Sequence, residues 1–412
     1  MAGALAPTVG AAPSPLSVKD AKLLDAKGRE VYLNGVSFGN LFVLEPYMWR
    51  VSGHSFGNTY SIRRSIGILC GSKYAADFWE RWQDSWITEN DVRMVREMGF
   101  NAVRLPFLAE TLMYAEEPGI TWREDGFARV KRIVGWCRDA GLYVVLDMHG
   151  APGGHTGTGI EASYDNSLRL FTDRDYWEKG VALWRELARR YKDEPTIAMY
   201  DLLNEPLSTG GGHKGQKEEL VPKLAEFYRD CIAAIRAEGA RQPISIEGEM
   251  WSTSTAIFDR SFDPAMVAHF HRYTFQPDSN TFADWEKVRE RLKCPLILGE
   301  YGENTYQWDR DTAAFARERD VHLLFWCWKK FAGTNPSPLM VPVPEGWGKV
   351  QAYLKGDGPK PTYAEAQQIF ERLLENIRAK NCIRDDKVAD AVIRGKVEAP
   401  SRGGTAASSS TR

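Results

Sequence analysis

Two glutamates stand out because each closes an apolar, β-rich run: Glu205 in IAMYDLLNEP (197–206) and Glu300 in PLILGEYG (295–302). Cleaving a glycosidic bond needs such a pair, one carboxylic acid to protonate the leaving oxygen and one carboxylate to attack or stabilise the oxocarbenium-like centre. Carboxyl groups roughly 5–5.5 Å apart lead to retention through a covalent glycosyl-enzyme, and a wider gap leads to inversion. A lone glutamate at a strand end is as readily a solvated charge or the partner of an arginine. These two have company at the ends of other runs: Arg104, His149, Asn204, Glu247 and Glu249, then His269, His271 and Tyr273, and last Trp326 with Trp328.

Each of these has a chemical use and a plainer one. Arg104 beside Glu300 would keep that carboxylate ionised and nucleophilic; the alternative is a structural ion pair, with Asp147 for instance. The Asn204 amide can hydrogen-bond a sugar hydroxyl, or simply form the turn before Pro206. The period of two along a strand puts His271 and Tyr273 on one face, with Tyr273 able to donate to the nucleophile. His269 shares that face but falls deeper and ranks below His271, as a satisfied core histidine. Trp326 and Trp328 also share a face; Trp326 is preferred as the floor of a sugar site, with plain packing open for either. Trp251, in IEGEMW, is a further candidate for substrate binding, and Glu249 is a carboxylate that either lines a subsite or faces solvent.

The elements that must position these residues alternate regularly. Eight apolar runs, at 31–39, 101–107, 143–150, 197–206, 244–249, 266–273, 295–302 and 322–330, are each followed by a segment with helical periodicity. Thr88 opens one helix with Val92, Met94, Val95 and Met98 on one face and Gly99 as its stop, and 126–140 repeats the pattern before Gly141. Eight strand–helix units predict a (β/α)₈ TIM barrel, whose strand ends converge on one cavity; no GxGxxG supports a dinucleotide-binding sheet. Asn40 to Ser85, carrying Tyr47, Trp49, Tyr60, Trp79 and Trp82 with Trp86 at its end, reads as a long first βα loop that shapes a pocket at the mouth. The catalytic barrel is expected over 18–380, between a disordered tail at 1–17 and an extension at 381–412 whose end is largely disordered.

At 412 residues, 43% of them hydrophobic, the chain can bury a full core. A net charge of -2 gives no pull toward nucleic acid or an anionic membrane, and a neutral ligand is the expectation. Fourteen Trp, 16 Tyr and 18 Phe suit a site that stacks flat sugar faces. The six cysteines are widely spaced, with no zinc-like cluster, and read as buried thiols. No metal or cofactor is expected, no apolar run is long enough to span a membrane, and a monomer is the expected state. The N-terminus lacks a basic start and a convincing apolar core, so no signal peptide is assigned; a glycan substrate favours a secreted or periplasmic protein.

Taken together, ITENDVRMVREMGFNAVRLPF, VVLDMHGAPGG, YDLLNEP, HRY, ILGEYG and FWCWK, in that order over roughly residues 25–331, resemble glycoside hydrolase family 5, the cellulase-like family of clan A. The resemblance implies Glu205 as acid/base and Glu300 as nucleophile in a retaining reaction. It also implies that Arg104, His149, Asn204, His271, Tyr273 and Trp326 surround the sugar that is cleaved off. NGVSFGNLFVLEPYMW and HGAPGG are similar to segments of exo-β-1,3-glucanases, which would put Glu45 on hydroxyls of the terminal glucose. HTGTGIEASYDN and IEGEMW depart from that pattern. The reading is an exo-β-glucanase or β-glucosidase acting on β-linked oligo- or polysaccharide, with an endo-β-1,4-glucanase or mannanase as the alternative. Two other classes remain for comparison: a metal-dependent barrel hydrolase built on His149, His155 and Asp201 or His213, and a non-catalytic glycan-binding barrel, which would lack one carboxylate.

Overall fold

In a computed structural model of the chain, residues 12–395 are described apart from 52–57, 162–164, 209–216, 274 and 279. His213 and most of the two expected tails therefore lie outside the described residues. Eight parallel strands close into a barrel in sequence order: β1 Asn34–Ser37, β2 Ala102–Leu108, β3 Tyr143–Gly150, β4 Ile197–Asp201, β5 Ile244–Glu247, β6 Met266–His271, β7 Leu296–Gly302 and β8 Val321–Trp326, with β8 pairing back onto β1. This is the (β/α)₈ barrel that the alternation of runs predicts.

The period of two inside the barrel separates two layers of different chemistry. Leu33, Ala102, Val145, Met199, Val267, Ile297 and Leu324 form one apolar cluster with Leu16 and Leu23, which come from the N-terminal segment and its hairpin, Ser17–Lys19 with Lys22–Leu24. Two residues further along the same strands stand Arg104, Asp147, Asp201, His269 and Gly299. The bottom of the barrel is therefore closed by hydrocarbon and the C-terminal end carries the polar groups. A register shift between Phe270 and His271 in the β6/β7 pairing sets His271 opposite Glu300.

The helix expected from Thr88 is α3, Glu89–Met98 (after α1, Thr59–Cys70, and α2, Ser72–Ser85), with a reciprocal Thr88/Asp91 capping box and Gly99 in the left-handed region at φ 104. The helix expected over 126–140 is α4, Glu124–Ala140, closed by Gly141. Two expectations need correction. Asn40 to Ser85 is not one long loop: α1 and α2 fill its second half, and its tryptophans are packed rather than displayed. Trp49 and Trp82 stack at 4.5 Å and Trp82 and Trp86 at 4.6 Å, all fully buried. Their indole N–H groups reach Asn40 Oδ1, the Asn40 carbonyl and the Gly39 carbonyl at 3.1, 2.9 and 2.8 Å, so the stack clamps the backbone that leaves β1. The helical repeat also fails once: after β5 the chain makes only a four-residue turn, Glu249–Ser252, because EMWSTSTAIFDRS is rich in Ser, Thr and Asp and has no 3.6-residue apolar period.

Beyond the barrel, a segment expected to be an extension is partly built into the fold. Ile383–Arg384 adds to a small sheet with Lys329–Phe331 and Leu339–Val341, and the helix Asp386–Val392 buries Val388, Ala389, Ala391 and Val392.

Candidate active site

The strand ends converge on a cavity of about 520 Å³, within the roughly 300–1,000 Å³ usual for ligand pockets. Its wall includes eight residues singled out from sequence: Glu45, His149, Glu205, Trp251, His271, Tyr273, Glu300 and Trp326. Arg104 and Asn204 do not line it. They stand behind the wall, and the arginine organises what lies in front.

Arg104 is wholly buried in the polar layer. Its Nη1 donates to Glu300 Oε1 at 2.5 Å, its Nε to Asp201 Oδ2 at 2.9 Å, and its Nη2 to Asn204 Oδ1 at 2.9 Å and Glu247 Oε1 at 3.1 Å, with Asp147 Oδ2 also 3.1 Å away. Both sequence alternatives for Arg104 are thus realised at once: it holds Glu300 and it pairs with Asp147. Burial opposes its charge, but these carboxylates outweigh burial and raise its pKa well above the ordinary value. The Asn204 amide is engaged at both atoms, since its Nδ2 donates to His149 Nε2 at 3.2 Å. His149 in turn gives its Nδ1 proton to Asp147 Oδ2 at 2.8 Å and stacks on Trp326 at 5.5 Å. Burial lowers the His149 pKa to about 3, so it is a neutral wall residue.

Glu205 and Glu300 face each other across His271. One oxygen of each and a nitrogen of His271 lie within 4.8 Å of one another. His271 Nδ1 is 2.7 Å from Glu205 Oε1 and 3.7 Å from Glu300 Oε2, and the Tyr273 hydroxyl donates to Glu300 Oε2 at 2.6 Å. Their surroundings push them apart electrically. Burial, then Glu300 and Glu45, raise the Glu205 pKa well above the usual carboxylate range. Burial also leaves Glu300 above its ordinary value, although Arg104 and the Tyr273 hydrogen bond pull against that rise. Glu205 itself sits at φ 44, a left-handed conformation costly for a residue with a side chain, and its N–H is held by Glu247 Oε2 at 2.8 Å.

The remaining wall comes from loops. Glu45 and Tyr47 follow the tryptophan clamp, and Tyr47 Oη accepts the Trp326 indole N–H at 3.0 Å. Trp251 enters from the turn after β5, where Met250, Trp251 and Ser252 all have φ between 53 and 60. Glu303, Arg272, Ile160 and Thr253 complete the lining and were not singled out from sequence. Glu303 lies three residues past Glu300 on the same strand-to-loop passage, a position that could have flagged it; its carboxylate pairs at 2.9 Å with Lys330, which is fully buried behind the wall. Glu249, expected either in a subsite or in solvent, is in neither: it is buried and accepts from Ser254 Oγ at 2.6 Å. Trp328 is likewise a packing residue, its indole donating to Asp91 Oδ1 at 3.1 Å.

The cavity thus presents an acid, an ionisable carboxylate braced by Arg104, two further carboxylates and aromatic faces, the equipment for opening an acetal of a neutral polyol. The cellulase profile of glycosyl hydrolase family 5 matches residues 67–332. The chain belongs to glycosyl hydrolase family 5. This family 5 member is a glycosidase, and the retaining double displacement is general to the family's clan. It is 26% identical to a β-xylosidase of Phanerodontia chrysosporium over 283 residues, 68% of this chain and only 56% of that protein's length. It is 24% identical to a probable glucan endo-1,6-β-glucosidase B of Aspergillus terreus over 348 residues, 73% of this chain and 82% of that one. In fold it is similar to a β-glucanase of Saccharophagus degradans, with a TM-score of 0.54 and 16% identity over 91% of this chain and 98% of the other.

The close-set oxygens and nitrogens also have metal-ligand spacing in two groups, Glu205–His271–Glu300 and Glu247–His269–His271. Arg104 donates to Glu300 and Glu247 and Tyr273 donates to Glu300, and a buried guanidinium 2.5 Å from Glu300 opposes a second cation. In this family 5 site the same groups form a hydrogen-bonded network.

Proposed function

We propose that this enzyme is an exo-acting, retaining β-glycosidase for β-glucans or their oligosaccharides, with Glu205 as acid/base and Glu300 as nucleophile. One observation carries the reading: one oxygen of Glu205 and one of Glu300 lie within 4.8 Å of each other, which supports direct attack over the ~6.5–9.5 Å between carboxyl groups that an intervening water needs. In the first step Glu300 bonds to the anomeric carbon while the bond to the leaving oxygen breaks and that oxygen takes the proton of Glu205. In the second, Glu205 removes a proton from water as its oxygen attacks the same carbon and releases Glu300. Burial favours the protonated start of Glu205, and Arg104 with Tyr273 favours the ionised start of Glu300.

Exo action is supported by the Glu45–Tyr47 segment, whose anchored backbone brings a carboxylate and a phenol to the same wall as Trp326, where a chain terminus and its vicinal hydroxyls would be read. Incubation with laminarin, cellulose, mannan and aryl β-glucosides and β-xylosides, followed by sizing of early products, tests the assignment. Mono- or disaccharide release from the first minutes is expected; only long oligosaccharides at early times would replace exo with endo action. The xyloside arm is included because of the relative named β-xylosidase, and a faster xyloside than glucoside would reassign the glycone.

A further inference from the structure

We propose that Glu303 is a specificity-determining residue: one of its carboxyl oxygens is anchored by a buried lysine and the other takes up a hydroxyl of the glycone. The inference rests on the exo reading, which sets the sugar that is cleaved off against the Glu45–Tyr47 wall. It deepens that reading by naming a residue that makes the wall selective for neutral, hydroxyl-bearing sugars.

Glu303 follows directly on β7 with φ 56, a left-handed conformation that disfavours any residue with a side chain. Its backbone is held there by Asn335, whose Nδ2 donates to the Glu303 carbonyl. The side chain reaches the cavity wall and keeps 22% of its surface exposed. Its Oε1 accepts from Lys330 Nζ at 2.9 Å, and that lysine has no exposed side-chain surface at all. Among the described residues, Oε2 accepts no hydrogen bond from the protein. One oxygen is thus fixed from behind and the other is left for the cavity.

The free oxygen belongs to the glycone wall. Burial and then Glu303 raise the Glu45 pKa well above the usual carboxylate range, with Lys330 opposing. After burial, Glu303 also acts on Tyr47, together with Glu45, and on Tyr273, together with Glu300. A hydroxyl of a bound sugar can donate to Oε2 while Lys330 keeps Oε1. An anionic sugar would instead set a further negative charge against Glu303 and Glu300.

A purely structural ion pair is the plainer role for Glu303, and Asp309 argues against it. This wholly buried carboxyl group faces the same lysine: burial pushes its pKa up to about 7 and Lys330 opposes that rise. Yet among the described residues neither Asp309 oxygen has a hydrogen-bond partner. If stability alone chose the lysine's partner, Asp309 would be it, because a buried carboxyl group is the costlier one to leave unpaired. The lysine is turned to the cavity instead, where it fixes a carboxyl group beside the substrate.

The test is a cycle that pairs loss of the carboxyl group with loss of each sugar hydroxyl. kcat/KM is measured for 4-nitrophenyl β-glucoside and its 3-, 4- and 6-deoxy counterparts with the full chain, wild type against Glu303→Ala. In the wild type at least one deoxy sugar should be about tenfold to a hundredfold poorer than the parent, the worth of one hydrogen bond to a charged group. In Glu303→Ala the same two substrates should differ by about threefold or less, because the partner of that hydroxyl is gone. A merely structural residue would slow all four substrates by one common factor, so identical ratios in the two proteins would overturn the inference. Alanine leaves Lys330 buried without its partner; Glu303→Ala/Lys330→Met removes both charges and carries the same comparison if the single variant does not fold. A wild type that leaves all four glucosides intact sinks the exo reading and the inference with it. Hydrolysis of the parent with unchanged ratios sinks the inference alone.

Discussion

Tyr273→Phe removes one oxygen and, with it, the 2.6 Å hydrogen bond that the phenol donates to Glu300 Oε2. Burial holds the Tyr273 pKa well above its ordinary value, so the hydroxyl remains a donor throughout the working range. Hydrogen bonds to charged groups are worth about 1.5–3 kcal/mol, and each pKa unit corresponds to about 1.4 kcal/mol, so the change should raise the Glu300 pKa by roughly one to two units. The sign follows from which form is stabilised: the phenol favours the carboxylate, and its loss favours the acid. The acid limb of the kcat/KM profile, which reports ionisation of the nucleophile in the free enzyme, should therefore shift to higher pH by about one to two units. Arg104 still holds Oε1, so activity on the plateau should survive in part. The assay is initial-rate hydrolysis of an aryl β-glucoside across the pH range, wild type against variant. An acid limb that stays in place, or movement confined to the alkaline limb, would refute the assignment of Glu300 to the ionised role.

Glu205→Ala should leave the first step intact for a dinitrophenyl glycoside, stall the second, and be rescued by azide, with a β-configured glycosyl azide detected by mass spectrometry; an α-configured product would rule out double displacement. Lys329→Met breaks a fully buried ion pair with Asp91, 2.6 Å long, and should cost about 3–5 kcal/mol in denaturant unfolding while leaving the kcat/KM pH profile unchanged, because Lys329 lies away from the cavity wall; a shift of the profile would link it to the site. Prolonged treatment with a strong chelator should leave hydrolysis unaffected, and loss restored by a divalent ion would revive the metal-dependent alternative.

Much of this was legible because barrel strands are short, apolar and of period two, so the polar residue near the end of each run had to face inward at the mouth. That logic located Arg104, His149, Glu205, His271 and Glu300, and the capping box and glycine stop around 88–99 located α3. It could not foresee α1 and α2, because the aromatic-rich stretch that holds them has its rings committed to packing against the backbone at Gly39 and Asn40, and such a stretch reads equally well as a pocket loop. Strand parity also says which way a side chain points but not what it meets. Asn204 reads from sequence as a sugar ligand or as the turn before Pro206, and parity alone does not show that its amide also bridges Arg104 and His149. Trp251 reaches the cavity through three consecutive left-handed residues, none of them glycine, a conformation no local propensity predicts.

The turn carrying Glu205 shows why histidines that resembled metal ligands are better explained without an ion. A left-handed non-glycine residue costs of order 1–3 kcal/mol and persists only where its surroundings over-determine it; here both Glu205, at φ 44, and Leu207, at φ 50, are of that kind. His155 supplies much of the constraint. Its Nδ1 accepts from the Ala151 N–H at 3.3 Å, its Nε2 donates to the Asn204 carbonyl at 2.6 Å, and its own carbonyl accepts the Leu207 N–H at 3.0 Å. With the Glu205 N–H held by Glu247, the strained residue is gripped by main-chain bonds on either side, so its carboxyl group is aimed at His271 before any substrate arrives. Of the residues that suggested a metal centre, His149 orients an amide, His155 clamps a turn and Asp201 accepts from Arg104 and holds His269. Each spends its polarity on placing one of the two glutamates, and a site already this fully hydrogen-bonded has its orientation built into the fold.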